Sequence, residues 1–97
     1  MPTFEVSALF MDEWRALSLA QRAAVAEMRK QFVAALKRGG PLRPGLRVRG
    51  FTSRPGWFEI AWAGDGRALF SYRPEKRPGE PHIIWHEIGT HAIYKQP

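Results

Sequence analysis

Three histidines near the C-terminal end of the chain are the first residues whose type and spacing suggest chemistry. His86-Glu87 begins a stretch similar to the H-E-x-x-H zinc motif, but the second histidine, His91, follows five residues later instead of four. Residues five apart do not share one helical face, and Ile-Gly-Thr between them is a poor helix segment. A metal cluster of His82, His86 and His91 is therefore the weaker alternative. We expect no metal, and ordinary strand positions for His82 and His86.

A histidine that titrates near neutral pH, close to several guanidinium groups, suits phosphoryl transfer within RNA. In that reaction a ribose 2′-hydroxyl attacks the adjacent phosphate, a general base accepts its proton, and a general acid protonates the departing 5′-oxygen. Arginines stabilise the charge that develops on the phosphate oxygens. The candidates are His91 and the arginines before it, Arg47, Arg49, Arg54 and Arg67. Each arginine taken alone is more simply explained as a solvated residue.

The overall charge is compatible with a polyanionic partner. The 97 residues include 15 Lys and Arg against 9 Asp and Glu, for a formal net charge of +6, and most of the basic residues are Arg. Residues 39–97 carry more of this excess than residues 1–38. The competing interpretation is that the charge only keeps a small domain soluble.

Composition narrows the class of protein. Cysteine is absent, which excludes disulfides, cysteine-based zinc sites and thiol nucleophiles. We find no apolar run long enough to span a membrane and no signal-peptide pattern at the N-terminus. The length predicts a single domain over residues 1–97. We expect a cytoplasmic protein that binds no membrane and no small-molecule cofactor.

The elements that must position these residues can be inferred from the hydrophobic pattern. Residues 3–6 form a short extended segment, and Ser7 is an N-cap for a helix that runs to about Leu17. Ser18 and Gln21 form a capping box that begins a second helix, which ends near Arg38. Its apolar positions recur at helical spacing: Ala24, Val25, Met28, Phe32, Ala35 and Leu36. A short link between two helices predicts an antiparallel hairpin.

After the Gly- and Pro-rich residues 39–45 the period changes to two, which is typical of strands. Strands are predicted around Arg47 and Arg49, around Phe58, and around Phe70 after a hairpin loop at 63–66. The proline-rich residues 74–81 are predicted to be a loop, followed by a last strand at about 82–88. Together these elements predict an α+β fold, in which a two-helix antiparallel hairpin packs on one face of a small antiparallel β-sheet. The other face would carry the arginines.

The order of several short motifs resembles the RelE/ParE superfamily of toxins from type II toxin–antitoxin systems, over nearly the whole chain. The motifs are Trp14-x-x-Leu17, the helix that ends at Gly39, Leu46-Arg47-Val48-Arg49, Trp57-Phe58-Glu59-Ile60, the segment from Gly66 to Tyr72, and Gly89-Thr90-His91-Ala92-Ile93-Tyr94. The terminal G-T-H motif is similar to the YafQ- and YoeB-like branches.

This resemblance implies a metal-independent endoribonuclease, an mRNA interferase that cuts mRNA on the ribosome and is neutralised by a cognate antitoxin. It implies that His91 is a catalytic histidine and general acid, and that Arg67 contacts the reacting phosphate. RNA binding would involve Arg47 or Arg49, together with Tyr94. Arg54 is added as a further basic RNA-binding candidate.

Two departures from the family pattern keep alternatives open. Many members have a basic residue where this chain has Ala61, and the lysines of the RelE branch are missing. The general base is therefore unassigned; Glu59 is a candidate, although a structural strand carboxylate is its simpler explanation. Superfamily members that poison DNA gyrase lack the nuclease residues, so a non-catalytic toxin or binding module is the alternative function. A plain nucleic-acid-binding domain is a third.

Overall fold

The structure, a computed structural model, describes residues 2–38, 48–51 and 53–90. In chain order its elements are β1 (Thr3–Val6), α1 (Ala8–Arg15), α2 (Leu19–Arg38), β2 (Val48–Gly50), β3 (Trp57–Ala61), β4 (Gly66–Arg77) and β5 (Glu80–Thr90). The predicted α+β class is confirmed.

Local capping chemistry fixes where both helices begin. The Oγ of Ser7 accepts the backbone N–H of Phe10 at 3.0 Å, which makes Ser7 the N-cap of α1 as predicted. At the start of α2, the Ser18 N–H donates to Gln21 Oε1 and the Gln21 N–H donates to Ser18 Oγ. This reciprocal pair is the predicted capping box. Because the caps satisfy N–H groups that have no partner inside the helix, they fix the residue at which each helix begins.

The sheet is mixed, so the prediction of an antiparallel sheet was wrong. Within the described residues the strand order is β1-β5-β4-β3-β2, and β1 pairs with β5 in parallel, with Thr3 opposite His82. The other neighbouring strands are antiparallel. The four residues of β1 contain no local pattern that predicts pairing with a strand almost eighty positions away in sequence. Their pairing is decided by tertiary packing.

Residues 74–81 also differ from the prediction, since β4 continues to Arg77 and β5 begins at Glu80. The ladder shifts register between Arg73 and Arg77. Pro74 has no N–H group to donate, and the irregularity lies where a regular ladder would require one. Gly79 closes the turn with φ +79°, and its N–H donates to Glu75 Oε1. A ladder irregularity and a glycine turn therefore allow a proline-rich segment to remain in the sheet.

One face of the sheet, which we call the core face, packs against side chains of both helices. Phe32 of α2 contacts Phe70 and Trp85 at ring-centroid distances of 5.0 and 5.3 Å, and Phe10 of α1 contacts Trp85 at 6.1 Å. The buried cluster also includes Val25, Met28, Ala35, Ile60, Trp62, Ala68, Ile83 and Ile88. The helical apolar positions predicted from spacing are in or against this core. The antiparallel relation of the two helices stays a prediction.

A β-bulge in β5 sets which side chains reach the other side of the sheet, which we call the opposite face. Leu69 pairs with Glu87 but Phe70 pairs with Trp85, so His86 is an extra residue on its strand. Trp85 and Ile88 remain on the core face. His86 and Glu87 are therefore both turned to the opposite face, a placement that strict alternation does not allow.

Candidate functional site

The predicted site residues divide between described and undescribed parts of the chain. Arg49, Arg54, Glu59 and Arg67 are described, while His91, Tyr94 and Arg47 lie outside the described residues. Of the described four, Arg49 is on β2, Glu59 on β3 and Arg67 on β4, whereas Arg54 is in the turn between β2 and β3.

Three of the predicted residues line one cleft at the β2–β3–β4 side of the sheet. Its volume is about 200 Å³, and it is lined by Val48, Arg49, Glu59, Ala61 and Arg67. Arg49 is directly opposite Glu59 across the β2–β3 pair, and Ala61 is opposite Arg67 across the β3–β4 pair. The cleft is thus lined by two arginines and one glutamate.

Arg49 and Glu59 form an ion pair across the β2–β3 ladder, from Nε to Oε1. The Glu59 side chain is 4% exposed, whereas the Arg49 side chain is 73% exposed. The buried carboxylate therefore already has a charged partner at one of the oxygens that a general base would use. Arg49, in contrast, presents most of its surface to a ligand.

Arg67 is buried and its guanidinium bonds the hairpin that joins β3 to β4. Nη1 donates to the carbonyl oxygens of Ala63, Gly64 and Gly66 at 3.2, 3.2 and 2.8 Å. The Arg67 carbonyl in turn accepts the indole N–H of Trp62 at 3.0 Å. Arg67 therefore organises the loop beside the cleft, a structural role that its sequence position did not indicate.

Arg54 pairs with a residue that the sequence reasoning did not single out. Its Nη1 lies 2.7 Å from Oε2 of Glu87, whose side chain is 7% exposed, and its guanidinium lies 4.5 Å from the ring centroid of Trp57. The buried carboxylate is neutralised by a half-exposed cation. Arg54 thus ties the β2–β3 turn to β5 across the opposite face.

His86 is the centre of a second cluster on the opposite face, next to Arg54 and Glu87. Its ring stacks on Trp57 with centroids 3.7 Å apart and planes 4° from parallel, and its Nε2 lies 2.7 Å from Ser71 Oγ. Partial burial, followed by the charge of Arg73, lowers the pKa of His86. The imidazole is thereby favoured in its neutral form.

His82 has structural contacts, as predicted for an ordinary strand histidine. Its ring is 2% exposed, with Nδ1 2.6 Å from Thr3 Oγ1 and Nε2 2.6 Å from Glu5 Oε2. Both partners belong to β1. This buried histidine links the two parallel strands, and its hydrogen bond lowers the pKa of Glu5.

Three aromatic residues of the strands, each able in principle to stack on a base, have different surroundings. Trp85 is buried in the core, and Tyr72 is 49% exposed but touches Phe58 and Phe70 edge-on. Trp57 lies on the opposite face against His86 and Arg54. Of these three, Trp57 is the aromatic side chain that adjoins the charged clusters.

Two classes of feature are absent from the described part of the chain. Residues 2–38, 48–51 and 53–90 contain no group of three His, Asp or Glu side chains placed to hold a metal ion. The helices of the same residues include none that is long and apolar enough to cross a membrane.

Solved structures that share this fold are toxins of toxin–antitoxin systems. The Methanococcus jannaschii RelB–RelE antitoxin–toxin complex matches at 11% identity and a TM-score of 0.66, covering 93% of this chain and 94% of the matched chain. The E. coli DinJ–YafQ complex matches at 15% identity and 0.66, covering 95% and 94%. A copper-bound mutant toxin from Helicobacter pylori matches at 13% identity and 0.62, covering 96% and 98%.

No protein-family model and no curated protein matches the sequence. At these identities the structural matches define the fold, so the chain has the fold of RelE-superfamily toxins. The resemblance expected from the order of motifs is confirmed at that level. Structures of YafQ from E. coli are among the matches, one of them at 17% identity and a TM-score of 0.62.

Proposed function

We propose that this protein is a toxin of a type II toxin–antitoxin system and acts as an mRNA interferase that cleaves mRNA on the ribosome. The fold shared with RelE and YafQ supports the toxin class. The observation that carries the RNA chemistry is the cleft in which Arg49, Glu59 and Arg67 meet on the opposite face. Two arginines lining one cleft suit a phosphate that gains charge during the reaction.

In the proposed reaction the ribose 2′-oxygen attacks the adjacent phosphorus, and the bond from phosphorus to the 5′-oxygen breaks. His91 donates a proton to the departing oxygen, while Arg67 and Arg49 stabilise the charge on the phosphate. Arg47, Arg54 and Tyr94 are the further candidates for binding the RNA strand. Glu59 is the candidate base from the sequence, although its ion pair with Arg49 opposes that role.

We further propose a cytoplasmic protein with a cognate antitoxin. RelE and YafQ were crystallised in complexes with RelB and DinJ, which supports an antitoxin partner here. The net charge of +6 suits an acidic segment of that partner, and the same charge suits ribosomal RNA.

A second candidate, a non-catalytic toxin or binding module acting on DNA gyrase or another partner, is favoured by one observation. Arg67 donates hydrogen bonds to the carbonyl oxygens of Ala63, Gly64 and Gly66, and Glu59 is paired with Arg49. Both residues thus have structural partners that need no substrate.

The decisive experiment adds the purified protein to ribosomes that carry a defined mRNA and maps the RNA ends by primer extension. We expect cleavage products with a 2′,3′-cyclic phosphate and a 5′-hydroxyl. His91→Ala should slow cleavage by about 100-fold or more, the typical contribution of a general acid, without lowering the unfolding temperature.

Lys30→Met, at an exposed position of α2, removes one positive charge away from the sheet and is the matched control. Intact mRNA together with gyrase-dependent DNA breaks would establish the second candidate instead. Binding that weakens steeply with salt, without any cleavage, would indicate a plain nucleic-acid-binding domain.

A further inference from the structure

We propose that His86 is the general base of the RNA cleavage reaction, accepting the proton of the attacking 2′-hydroxyl at Nε2. This inference rests on the proposed function and assigns the role that the sequence left open. It begins from the β-bulge, which turns His86 and Glu87 to the same side of the sheet. Bulges often re-aim a side chain beside a functional site.

The imidazole is held in one orientation by contacts on two sides. Trp57 covers the ring with nearly parallel planes, and Ser71 Oγ lies 2.7 Å from Nε2. Ser7 Oγ also donates to the His86 carbonyl at 2.7 Å, which fixes the backbone at the bulge. With the ring hydrogen on Nδ1, the Ser71 hydroxyl donates and Nε2 accepts. In this tautomer the ring presents an acceptor nitrogen to a hydroxyl group, which is the geometry that a general base requires.

The Ser71 hydroxyl marks where a substrate hydroxyl would be placed. A rotation about its Cα–Cβ bond moves Ser71 Oγ away from Nε2 and leaves room for a ribose 2′-hydroxyl there. The proton then passes from that hydroxyl to Nε2 while the 2′-oxygen forms its bond to phosphorus. The electron pair of the breaking bond stays with the 5′-oxygen, which takes a proton from the general acid.

Charged groups from four parts of the fold act on His86, and together with burial they leave it neutral. Burial lowers its pKa most, followed by Arg73 of β4 and Arg54 of the β2–β3 turn, while Glu87 of β5 and Glu5 of β1 raise it. A base must be unprotonated to work, so a lowered pKa extends the active form below the ordinary histidine range.

The location of His86 also fits the cleft that would hold the phosphate. Glu59, Leu69 and Glu87 form one row across β3, β4 and β5, and Trp57 and Ser71 belong to the next row on the same face. Successive rows on one face are about 7 Å apart along the strands. His86 is thus one row from Glu59 and its partner Arg49, and two rows from Arg67. A phosphate attacked by a 2′-hydroxyl at Nε2 would therefore lie at the end of the cleft formed by Glu59 and Arg49.

His86→Gln tests the assignment in the ribosome cleavage assay. Glutamine keeps a polar planar group against Trp57 and Ser71 but cannot accept the proton. We expect cleavage at least about 100-fold slower than wild type at saturating protein, with an unchanged cleavage position. Cleavage within threefold of wild type by a folded variant would overturn the inference.

The pH profile supplies a test that a merely structural role would not pass. A general base gives a rate that rises with pH until the base is unprotonated. Arg73→Met removes a positive charge that lowers the pKa of His86, so the rising limb should move to higher pH. Arg77→Met removes the same charge from an exposed position further along β4, outside the groups acting on His86, and should leave the limb in place.

The outcomes separate this inference from the function on which it rests. If wild type cleaves RNA but His86→Gln has the same rate and pH profile, the base assignment is wrong and the nuclease stands. If His86→Gln does not fold, an unmoved limb in Arg73→Met overturns the assignment. If wild type cleaves no RNA, both proposals fall together.

Discussion

On the core face of the sheet, rings of Phe32, Phe70 and Trp85 pack against one another, whereas the opposite face buries carboxylates that pair with more exposed arginines. Counted as whole residues, Glu59 and Glu87 are 3% and 5% exposed, nearly as buried as the aromatic residues on the core face. Each carboxylate has an arginine partner from the β2–β3 region, Arg49 for Glu59 and Arg54 for Glu87. The same strands thus build two faces with different chemistry.

Stability and reactivity therefore depend on different faces of the sheet. Apolar burial provides the net stabilisation. The free energy gained is proportional to the apolar area removed from water, and no charged group has to lose its hydration. A buried ion pair stabilises little overall, but removing one partner is costly. The opposite face can therefore keep acids, bases and arginines in fixed positions only while every buried charge keeps its partner.

The largest expected effect comes from emptying the centre of the core face. Phe32 is fully buried between Phe70 and Trp85, so Phe32→Ala should lower the free energy of unfolding by about 3–5 kcal/mol. Leu19→Ala, at a side chain 83% exposed, is the control and should change it by less than about 0.5 kcal/mol. Urea denaturation of both variants measures the difference. Equal losses would mean that the aromatic cluster is not the stabilising centre.

An intermediate effect is expected from separating one buried charge pair. Arg54→Met leaves the Glu87 carboxylate buried without its cation and should cost about 1–3 kcal/mol. Adding Glu87→Gln removes the isolated charge, so the double variant should be more stable than Arg54→Met alone. A double-mutant cycle by chemical denaturation measures this coupling. Additive losses would show that the two side chains act independently.

The smallest expected effect is at Arg67, which bonds carbonyl oxygens rather than a buried charge. Arg67→Met should cost about 0.5–1.5 kcal/mol, because water can reach the exposed loop residue Gly64 once the guanidinium is gone. Thermal unfolding measures the cost, and amide exchange at Gly66 reports on the hairpin. If the ribosome assay loses far more than this stability change explains, Arg67 also acts on RNA. A loss above that of Arg54→Met would reverse the proposed order of effects.

Local features of the chain were predictable because neighbouring residues determine them. Ser7 and the Ser18–Gln21 pair mark both helix starts through hydrogen bonds that span three residues. Helical spacing identified Phe32, and strand alternation identified Phe70, as core residues. The placement of Arg49 and Arg67 on the face opposite the core also follows from alternation, since each is one residue from a core-facing position.

Local sequence patterns are therefore enough to predict the α+β class, the helix starts, the core side chains and an arginine-bearing face. Four features depend on the tertiary structure: the parallel pairing of β1, the continuation of β4 past Pro74, the bonding of Arg67 to loop carbonyls and the position of His86. They do so because strand pairing joins residues that are far apart in sequence. A one-residue bulge moves side chains to the other face without any local signal.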